Sequence, residues 1–243
     1  MSFVLIIGSR SDIGKALARE FANDGFDLYL ASRDAEQNRD FATDIQVRYG
    51  RKAQCIELDI LDVESHRACY ESLQPRPEGV VVAVGYLGDQ KTAEADFTEA
   101  RKIIDTNYTG IASVLDIVAG DFESRGSGFI VGISSVAGDR GRQGNYFYGS
   151  AKAALSVYLS GLRNRLARAN VRVLTAKPGF VNTKMTSGLA LPAALTAQPE
   201  DVATAIFNAC KAGRNVVYVP RKWRWIMLVI RAIPEFIFKR ISV

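Results

Sequence analysis

The sequence is poor in the residues that build disulfide frameworks and metal sites, since its 243 residues include three cysteines and one histidine. Cys55, Cys69 and Cys210 are unclustered and odd in number, which argues against a disulfide framework and against metal-ligand spacing. We expect core thiols of a cytosolic protein and predict no bound metal. His66 has no evident Asp or Cys companion, so a solvent-exposed helical position is favoured over a ligand or a base.

Outside the C-terminal end, the chain has no excess of positive or negative side chains. Residues 221–243 contain six basic side chains and one acidic side chain, which together equal the whole net charge of +5. Basic and acidic side chains therefore balance over residues 1–220, and the body of the chain has no polyanion-binding signature. We predict no nucleic-acid partner.

Long apolar runs are missing as well. The first apolar segment, residues 3–7, is too short for the core of a signal peptide and has no basic flank or cleavage site. We interpret it as a strand of a cytoplasmic protein. No change in composition divides the chain, and its length suits one large α/β domain. We therefore expect a single domain over residues 1–243, with residues 221–243 as an amphipathic basic tail.

What is present is a regular alternation of apolar runs and amphipathic stretches. The runs are rich in Val, Ile and Leu, which is typical of parallel strands buried on both faces. They lie at 3–7, 27–31, 53–58, 79–84, 128–133, 171–176 and 215–219. Helical patterns lie at about 13–24, 34–49, 62–73, 96–122, 148–169 and 199–212. This order predicts a doubly wound α/β fold of the Rossmann type, with about seven parallel strands, three layers and a short C-terminal helical extension.

The first strand is followed by a glycine-containing turn, Gly8-Ser-Arg-Ser-Asp-Ile-Gly14. Glycines let the backbone turn sharply next to a phosphate, and the N–H groups of the following helix attract its charge. The second strand ends at Ser32-Arg33, where binding a free ribose 2′-hydroxyl would require a carboxylate. Arg33 and Arg10 suit a 2′-phosphate instead, because guanidinium groups bind phosphate bidentately. We therefore favour NADP(H) over NAD(H), and the alternative is that the arginines are surface charges.

A tyrosine and a lysine stand four residues apart where a helical pattern begins. Tyr148 and Lys152 would project from one face of that helix, one turn apart. An ammonium beside a phenol lowers the pKa of the phenol, which makes proton exchange with a substrate oxygen feasible. Ser135, at the end of the apolar run 128–134, would steady the same oxygen. The same residue types also occur together by accident, so the rest of the chain must support this interpretation.

Together these motifs resemble the short-chain dehydrogenase/reductase family over nearly the whole chain. Its motifs occur in order: the glycine turn, Asp59, Asn107-Tyr-Thr-Gly110, Ser135, Tyr148, Lys152, and Pro178-Gly179 with Thr183. The resemblance implies that Tyr148 is the acid and base and that Ser135 orients the carbonyl. It also implies that Lys152 binds the nicotinamide ribose and lowers the Tyr148 pKa, and that Asn107 holds a water of the proton relay.

The resemblance also implies a nicotinamide cofactor along one edge of the sheet, with Asp59 at the adenine and Val181 and Thr183 at the nicotinamide. The implied contacts are Gly8, Arg10, Asp12, Ile13, Gly14, Arg33, Asp59, Ile60, Gly85, Tyr148, Lys152, Pro178, Gly179, Val181 and Thr183. The hydride comes from the cofactor, so the protein supplies orientation and one proton.

Two positions depart from the family pattern. Asp12 stands where a glycine is usual, and its carboxylate would repel a pyrophosphate. As a helix N-cap Asp12 could bond the first-turn N–H groups, with Arg10 offsetting its charge. Residues 82–85, Val-Ala-Val-Gly, replace the usual Asn-Asn-Ala-Gly. Neither departure touches the catalytic positions.

Within the family, the chain resembles the decaprenylphosphoryl-2-keto-ribose reductases of cell-envelope synthesis, which work with a flavin oxidase. The shared features are the acidic turn residue, segments 87–89, 107–109, 145–152 and 178–185, and tail residues from Arg224 to Phe238. This resemblance implies a lipid-linked keto-sugar as substrate and a flavin oxidase as partner. Two alternatives remain open: reduction of a soluble or acyl-chain ketone, with the tail as an oligomer contact, and nucleotide sensing without catalysis.

The tail can be interpreted physically in two ways. From Arg221 to Ile233, arginines form a narrow stripe, and apolar residues that include Trp223 and Trp225 cover most of the remainder. The run is too short to span a bilayer, and Pro234 interrupts it. Tryptophan beside basic residues is typical of a segment at the inner membrane surface. The alternative is that the tail folds onto the domain as a lid or subunit contact, and the family resemblance implies a homo-oligomer.

Overall fold

The computed structural model describes residues 2–241, so the last two residues of the predicted tail lie outside the described residues. Parallel strands were predicted from continuous apolar runs, and β1 and β2 are buried at every position. The strands are β1 (Phe3–Ile7), β2 (Asp27–Ser32), β3 (Ala53–Glu57), β4 (Gly79–Val82), β5 (Gly128–Ile133), β6 (Val171–Pro178), β7 (Phe180–Val181), β8 (Thr196–Ala197) and β9 (Val216–Val219).

Seven of these strands form one parallel sheet in the order β3-β2-β1-β4-β5-β6-β9. The predicted doubly wound, Rossmann-type arrangement is therefore confirmed. The strand order reverses direction at β1, whose last residue, Ile7, pairs with Ala31 of β2 and Val82 of β4. Sheets of this kind bind ligands in the crevice beyond the carboxyl ends of the strands at such a reversal. The short strands β7 and β8 form a separate pair.

The helices occupy the predicted regions, with one interruption and one addition. The predicted helix over 96–122 is divided by a π-helical turn, Asp105–Thr109, and a short helix at 90–95 was not predicted. The helices are α1 (Asp12–Asn23), α2 (Arg39–Tyr49), α3 (Ser65–Ser72), α4 (Gln90–Ala95), α5 (Phe97–Ile104), α6 (Gly110–Arg125), α7 (Tyr146–Leu166), α8 (Pro199–Lys211), α9 (Lys222–Ala232) and α10 (Glu235–Phe238).

Two apolar clusters, one on each face of the sheet, make three layers. On one face α1, α2 and α8 bury residues that include Phe21, Ile45 and Ile206. On the other face α3, α6 and α7 do the same, with Val114 and Leu159 among the buried residues. The two-sided burial explains why the strands lack polar alternation.

The prediction that His66 is solvent-exposed is wrong. His66 lies on the inner face of α3 and is fully buried. Its ring nitrogens are hydrogen-bonded to Ser113 Oγ (3.1 Å) and to the carbonyl oxygen of Asp59 (3.0 Å). A buried imidazole needs both partners, because an unsatisfied polar group in the core is costly. The core-thiol prediction holds for Cys210, whereas Cys55 and Cys69 are half-buried.

The C-terminal tail folds onto the domain through one face of α9. Trp223 and Met227 are buried against Val136 and Phe180. The Arg140 guanidinium donates to the carbonyl oxygens of Ile230 (2.7 Å) and Ile233 (2.6 Å) at the end of α9. Within the described residues, no helix combines the length and apolar character needed to cross a bilayer.

Candidate active site

The turn after β1 brings the backbone of residues 8–14 against the end of β4. Gly8 has a φ of +84°, and a Cβ there would lie 2.7 Å from the carbonyl carbon of Ala83. The position therefore requires glycine for both its conformation and its space. Ser11 caps α1, because its Oγ accepts a hydrogen bond from the Gly14 N–H at 3.0 Å. The other first-turn N–H groups of α1 have no partner within the helix.

The prediction that Asp12 is the N-cap of α1 is wrong. Ser11 is the N-cap, and Asp12 is the first residue of the helix. Asp12 Oδ2 accepts a hydrogen bond from the Lys184 N–H at 2.8 Å, so the carboxylate ties α1 to the segment after β7. Arg10, expected to offset the Asp12 charge, donates to Gln37 Oε1.

A cavity of about 400 Å³, here called the Arg33 cavity, lies beyond the ends of β1 and β2. It brings together six of the predicted cofactor contacts: Gly8, Arg10, Arg33, Asp59, Ile60 and Gly85. Asn38 shapes this region and was missed. Its Nδ2 donates to Ser9 Oγ (3.0 Å) and Ser32 Oγ (2.8 Å), which joins the turn after β1 to the end of β2. No pattern around Asn38 signals this role in the sequence.

A second cavity of about 260 Å³, the Lys152 cavity, continues from the first. The two cavities share Arg10, Gly85 and Lys184 among their lining residues, so they form one cleft. The predicted residues on the wall of the Lys152 cavity are Arg10, Asp12, Ile13, Gly85, Ser135, Tyr148, Lys152, Pro178, Gly179, Val181 and Thr183. Gly14 and Asn107 do not line either cavity.

Tyr148 and Lys152 lie one turn apart at the start of α7, as their spacing predicts. The Lys152 ammonium lies 5.7 Å from the centre of the Tyr148 ring. It donates to the carbonyl oxygens of Ile133 (3.1 Å) and Val84 (3.4 Å). Ser135, which follows β5, lines the same cavity as Tyr148 and lies close enough to it to lower the pKa of the phenol. The end of β5 and the start of α7 therefore bring Ser135, Tyr148 and Lys152 together.

The expectation of a lowered Tyr148 pKa is not met. Burial raises the pKa of Tyr148 to about 12, and the neighbouring Ser135 hydroxyl offsets this only in part. Burial also lowers the pKa of Lys152 to about 7. Desolvation disfavours the charged form of each group. Helix spacing indicates that the two groups are close together but not that both are buried, and burial is the main cause of both pKa shifts.

Asn107 lies in the π-helical turn between α5 and α6 and is fully buried. Its Nδ2 donates to the carbonyl oxygens of Ile103 (2.8 Å) and Tyr86 (2.6 Å), and its Oδ1 accepts from the Tyr86 N–H at 3.2 Å. The side-chain amide thus holds the segment after β4 beside Lys152. The water-holding role of Asn107 stays a prediction.

A third cavity of about 800 Å³, the Arg142 cavity, adjoins the cleft. Ser135 and Tyr148 line both this cavity and the Lys152 cavity. Met185 and Arg142 also line it, and neither was predicted as a site residue. The pair of hydroxyls at a junction between two cavities can hydrogen-bond an oxygen atom that enters from the Arg142 cavity and can exchange a proton with it.

The tail reaches this site through a close contact at Gly179. A Cβ at Gly179 would lie 1.8 Å from Trp223 Nε1, so only glycine leaves room for the indole. Trp223 also packs edge-on against Phe180, with ring centroids 5.3 Å apart. Gly179 lines both the Lys152 and the Arg142 cavities. The tail therefore packs directly behind the wall of the site.

Comparisons with known proteins agree with this geometry. A sequence profile described as short chain dehydrogenase matches residues 2–192. An uncharacterized oxidoreductase of Mycobacterium tuberculosis is 40% identical over 240 residues, which cover 98% of this chain and 96% of that protein. A 3-oxoacyl-acyl-carrier-protein reductase of Aquifex aeolicus is 28% identical over 219 residues, which cover 85% and 88%. The structure of a short-chain dehydrogenase from Sphingobium yanoikuyae in complex with NADPH matches with a TM-score of 0.84 at 22% identity, covering 100% of this chain and 97% of that one.

Proposed function

The chain belongs to the short-chain dehydrogenase family, and on that premise we propose that it reduces a ketone to a secondary alcohol with a nicotinamide cofactor. The observation that carries the proposal is the position of Ser135 and Tyr148 at the junction of the Lys152 and Arg142 cavities. A carbonyl entering from the Arg142 cavity would meet both hydroxyls there, with the cofactor cleft on the other side.

The residues of the cleft fit a dinucleotide. Gly8 lets the backbone pass close to Ala83, and the first-turn N–H groups of α1 suit a pyrophosphate. The Asp12 carboxylate is engaged by the Lys184 N–H, which reduces its repulsion of a phosphate. Asp59 and Ile60 would lie at the adenine end, and Val181 and Thr183 at the nicotinamide end.

In this assignment Tyr148 donates a proton to the substrate oxygen during reduction, and Ser135 hydrogen-bonds the same oxygen. The raised pKa of Tyr148 keeps the phenol protonated at neutral pH, as a proton donor requires. Lys152 has a pKa of about 7. When its amine is protonated, the positive charge would stabilise the phenolate that remains after proton transfer. The bound cofactor supplies the hydride.

We favour NADP(H) over NAD(H) because Arg10 and Arg33 both line the Arg33 cavity. Guanidinium groups bind a 2′-phosphate bidentately. The Sphingobium yanoikuyae structure that this chain resembles contains NADPH.

We expect Arg33→Ala to raise the KM for NADPH about tenfold, since a charge-assisted hydrogen bond contributes about 1.5–3 kcal/mol, and to change the KM for NADH less than twofold. Equal changes for the two cofactors would contradict the assignment.

The reaction class is tested by following NADPH fluorescence with a panel of ketones. We expect the wild-type protein to oxidise NADPH with at least one ketone. Ser135→Ala should lose at least tenfold in turnover. Ser150→Ala, a change at an exposed position of α7, should retain wild-type turnover. A protein that binds NADPH and reduces no ketone would be a nucleotide sensor instead.

For the substrate we propose a polyprenyl-phosphoryl keto-pentose or a similar lipid-linked keto-sugar. Support comes from the tail, because Val136 and Phe180 contact α9 and also line the Arg142 cavity. The outer face of the tail is apolar, with Trp225, Leu228, Val229, Phe236 and Ile237 exposed. Basic side chains flank this face, and anionic headgroups attract them. The sugar would reach Tyr148 while its lipid stays in the bilayer beside the tail.

Co-sedimentation with vesicles of anionic phospholipid tests the tail. We expect a Leu228→Gln/Val229→Gln double variant to lose most vesicle binding, because buried apolar area drives interfacial binding. Val157→Gln changes an equally exposed side chain on α7 and should bind as the wild type does. Wild-type binding by the double variant would contradict the membrane contact. It would favour the second candidate, reduction of a soluble or acyl-chain ketone, which the similarity to the Aquifex aeolicus reductase supports.

A further inference from the structure

Arg142 lies in the loop between β5 and α7 and lines the Arg142 cavity together with Ser135 and Tyr148. The side chain is half-buried. A cation therefore stands on the wall of the same cavity in which the two hydroxyls meet a substrate. The cavity volume of about 800 Å³ lies within the range of small-molecule sites.

No carboxylate of residues 2–241 lies within salt-bridge distance of Arg142. The contact of its Nη2 is with the sulfur of Met227 at 3.4 Å, and its buried Nε has no hydrogen-bond acceptor among the described residues. Asp139, the nearest acidic influence on Arg142, is held by Lys177 and by the Tyr218 hydroxyl. A half-buried guanidinium without a counter-ion is unfavourable unless a ligand supplies one.

The acidic residues that line the cavity, Asp89 and Glu94, already have hydrogen-bond donors. Asp89 caps α4 and accepts from the Thr92 N–H and hydroxyl, both at 2.8 Å. Glu94 accepts from the Gln90 amide and from the Tyr146 hydroxyl, both at 3.1 Å. Each carboxylate therefore has partners of its own, and among the described residues neither forms a salt bridge with Arg142.

Asn145, three residues after Arg142, also lines the cavity with unused hydrogen-bonding capacity. It is the residue before α7, yet its side chain does not cap the helix, and its buried Oδ1 has no donor among the described residues. The turn from Arg142 to Asn145 thus presents a cation and an amide that the chain itself leaves incompletely satisfied. Unused polar groups of this kind beside a cavity are those that a polar ligand satisfies.

We propose that Arg142 is the anion-binding residue of the substrate site, and that the enzyme prefers ketones carrying a phosphate or carboxylate. The anionic group would pair with the guanidinium, Asn145 would bond a substrate hydroxyl, and the carbonyl would lie at Ser135 and Tyr148. This inference rests on the proposed ketone reduction and adds a specificity that the proton-transfer residues do not supply.

The test compares matched charged and neutral ketones: xylulose 5-phosphate against xylulose, and 3-oxobutanoate against its methyl ester. We expect Arg142→Gln to lower the kcat/KM preference for the charged member of a pair at least tenfold, mainly through KM, because uniform binding is removed. Arg142→Lys should retain part of the preference. Arg168→Gln removes an exposed arginine elsewhere and should keep the wild-type ratio. The pair whose kcat/KM preference falls in Arg142→Gln shows whether Arg142 binds a phosphate or a carboxylate.

Calorimetric titration of xylulose 5-phosphate and of 3-oxobutanoate into the NADP⁺-bound protein gives a readout that does not need turnover, because a ketone cannot be reduced by oxidised cofactor. We expect at least one of them to bind the wild type at least tenfold more tightly than Arg142→Gln. Equal affinity for both variants, or an unchanged charged-to-neutral ratio, would overturn the inference. A wild type that reduces no ketone but loses anion binding on Arg142→Gln would instead refute only the proposed reduction.

Discussion

Lys152 shows how one buried residue links the site to the stability of the fold. Burial lowers its pKa from the ordinary value of 10.5 to about 7. Between these values the unfolded chain binds the proton and the folded chain does not, so stability rises with pH through this window. Below pH 7 the folded state must bury a charge, which the carbonyl oxygens of Ile133 and Val84 stabilise only in part.

We therefore compare the unfolding free energies of the wild type and Lys152→Met at pH 7 and pH 9. Relative to the variant, the wild type should gain about 2 kcal/mol between these pH values, because the gain is about 1.4 kcal/mol per pH unit where the two states differ by one proton. Denaturant unfolding at both pH values measures it. Lys52→Met, at an exposed position, should show a difference that does not depend on pH. The same flat behaviour for Lys152→Met would contradict a lowered pKa.

Single residues were predictable where local spacing carries the information. Tyr148 and Lys152 are four apart on one helix, so their proximity follows from helix geometry alone. Asn38, His66 and Arg142 were misjudged or missed because their roles depend on long-range contacts. The partners of His66, for example, lie on another helix and at the end of another strand, and neither contact leaves a local pattern.

At the scale of elements, α9 is joined to the site by the contact between Trp223 and Gly179. Trp223 and Met227 form a small apolar cluster with Val136. Removing the whole tail would expose this cluster, so deletion would disturb the wall of the site as well as any surface contact. Point substitutions on the two faces of α9 separate these roles.

We expect Trp223→Ala to lower the unfolding free energy by about 3–5 kcal/mol, the usual cost of truncating a buried aromatic residue. Trp225→Ala, at the exposed face of the same helix, should change it by less than about 0.5 kcal/mol. Urea unfolding compares the two. Similar values for both variants would show that α9 is not packed as described.

Gly179→Ala completes a double-mutant cycle with Trp223→Ala. In the wild-type background the added Cβ meets the indole, and overpacking should cost about 1–3 kcal/mol. In the Trp223→Ala background the cost should fall close to zero, because the clashing side chain is gone. Additive costs in the urea-unfolding cycle would contradict the contact.

Elements were predictable to the extent that they bury a continuous apolar pattern. The strands β1, β2, β4 and β5 and the helices α1, α6, α7 and α8 do so and were found. The two-residue strands β7 and β8 were not predicted. The π-helical turn at Asp105–Thr109 interrupts the predicted helix over 96–122 because Asn107 is bonded to the segment after β4, a contact that periodicity does not contain. The tail pattern indicated an amphipathic helix, but not which of its apolar faces packs inward.

At the scale of the whole molecule, the reversal of strand order at β1 sets the place of the site. The ends of β1 and β4 open the cleft, β5 delivers Ser135, and α7 delivers Tyr148 and Lys152. The alternation of strands and helices predicted this topology from the sequence, and the topology brings distant motifs to one edge of the sheet. The size of the Arg142 cavity and its charge depend on how the loops and tail pack, which no motif specified.

In the proposed function, Tyr148 transfers the proton at the junction of the cofactor cleft and the Arg142 cavity. The most direct measurement is single-turnover oxidation of NADPH by Tyr148→Phe with a ketone that the wild type reduces, beside Tyr49→Phe, a change on α2 at a residue that lines none of the three cavities. We expect Tyr148→Phe to be slower by about 10²–10⁴-fold with NADPH affinity within about twofold, and Tyr49→Phe to match the wild type. A Tyr148→Phe rate within tenfold of the wild type would contradict the account.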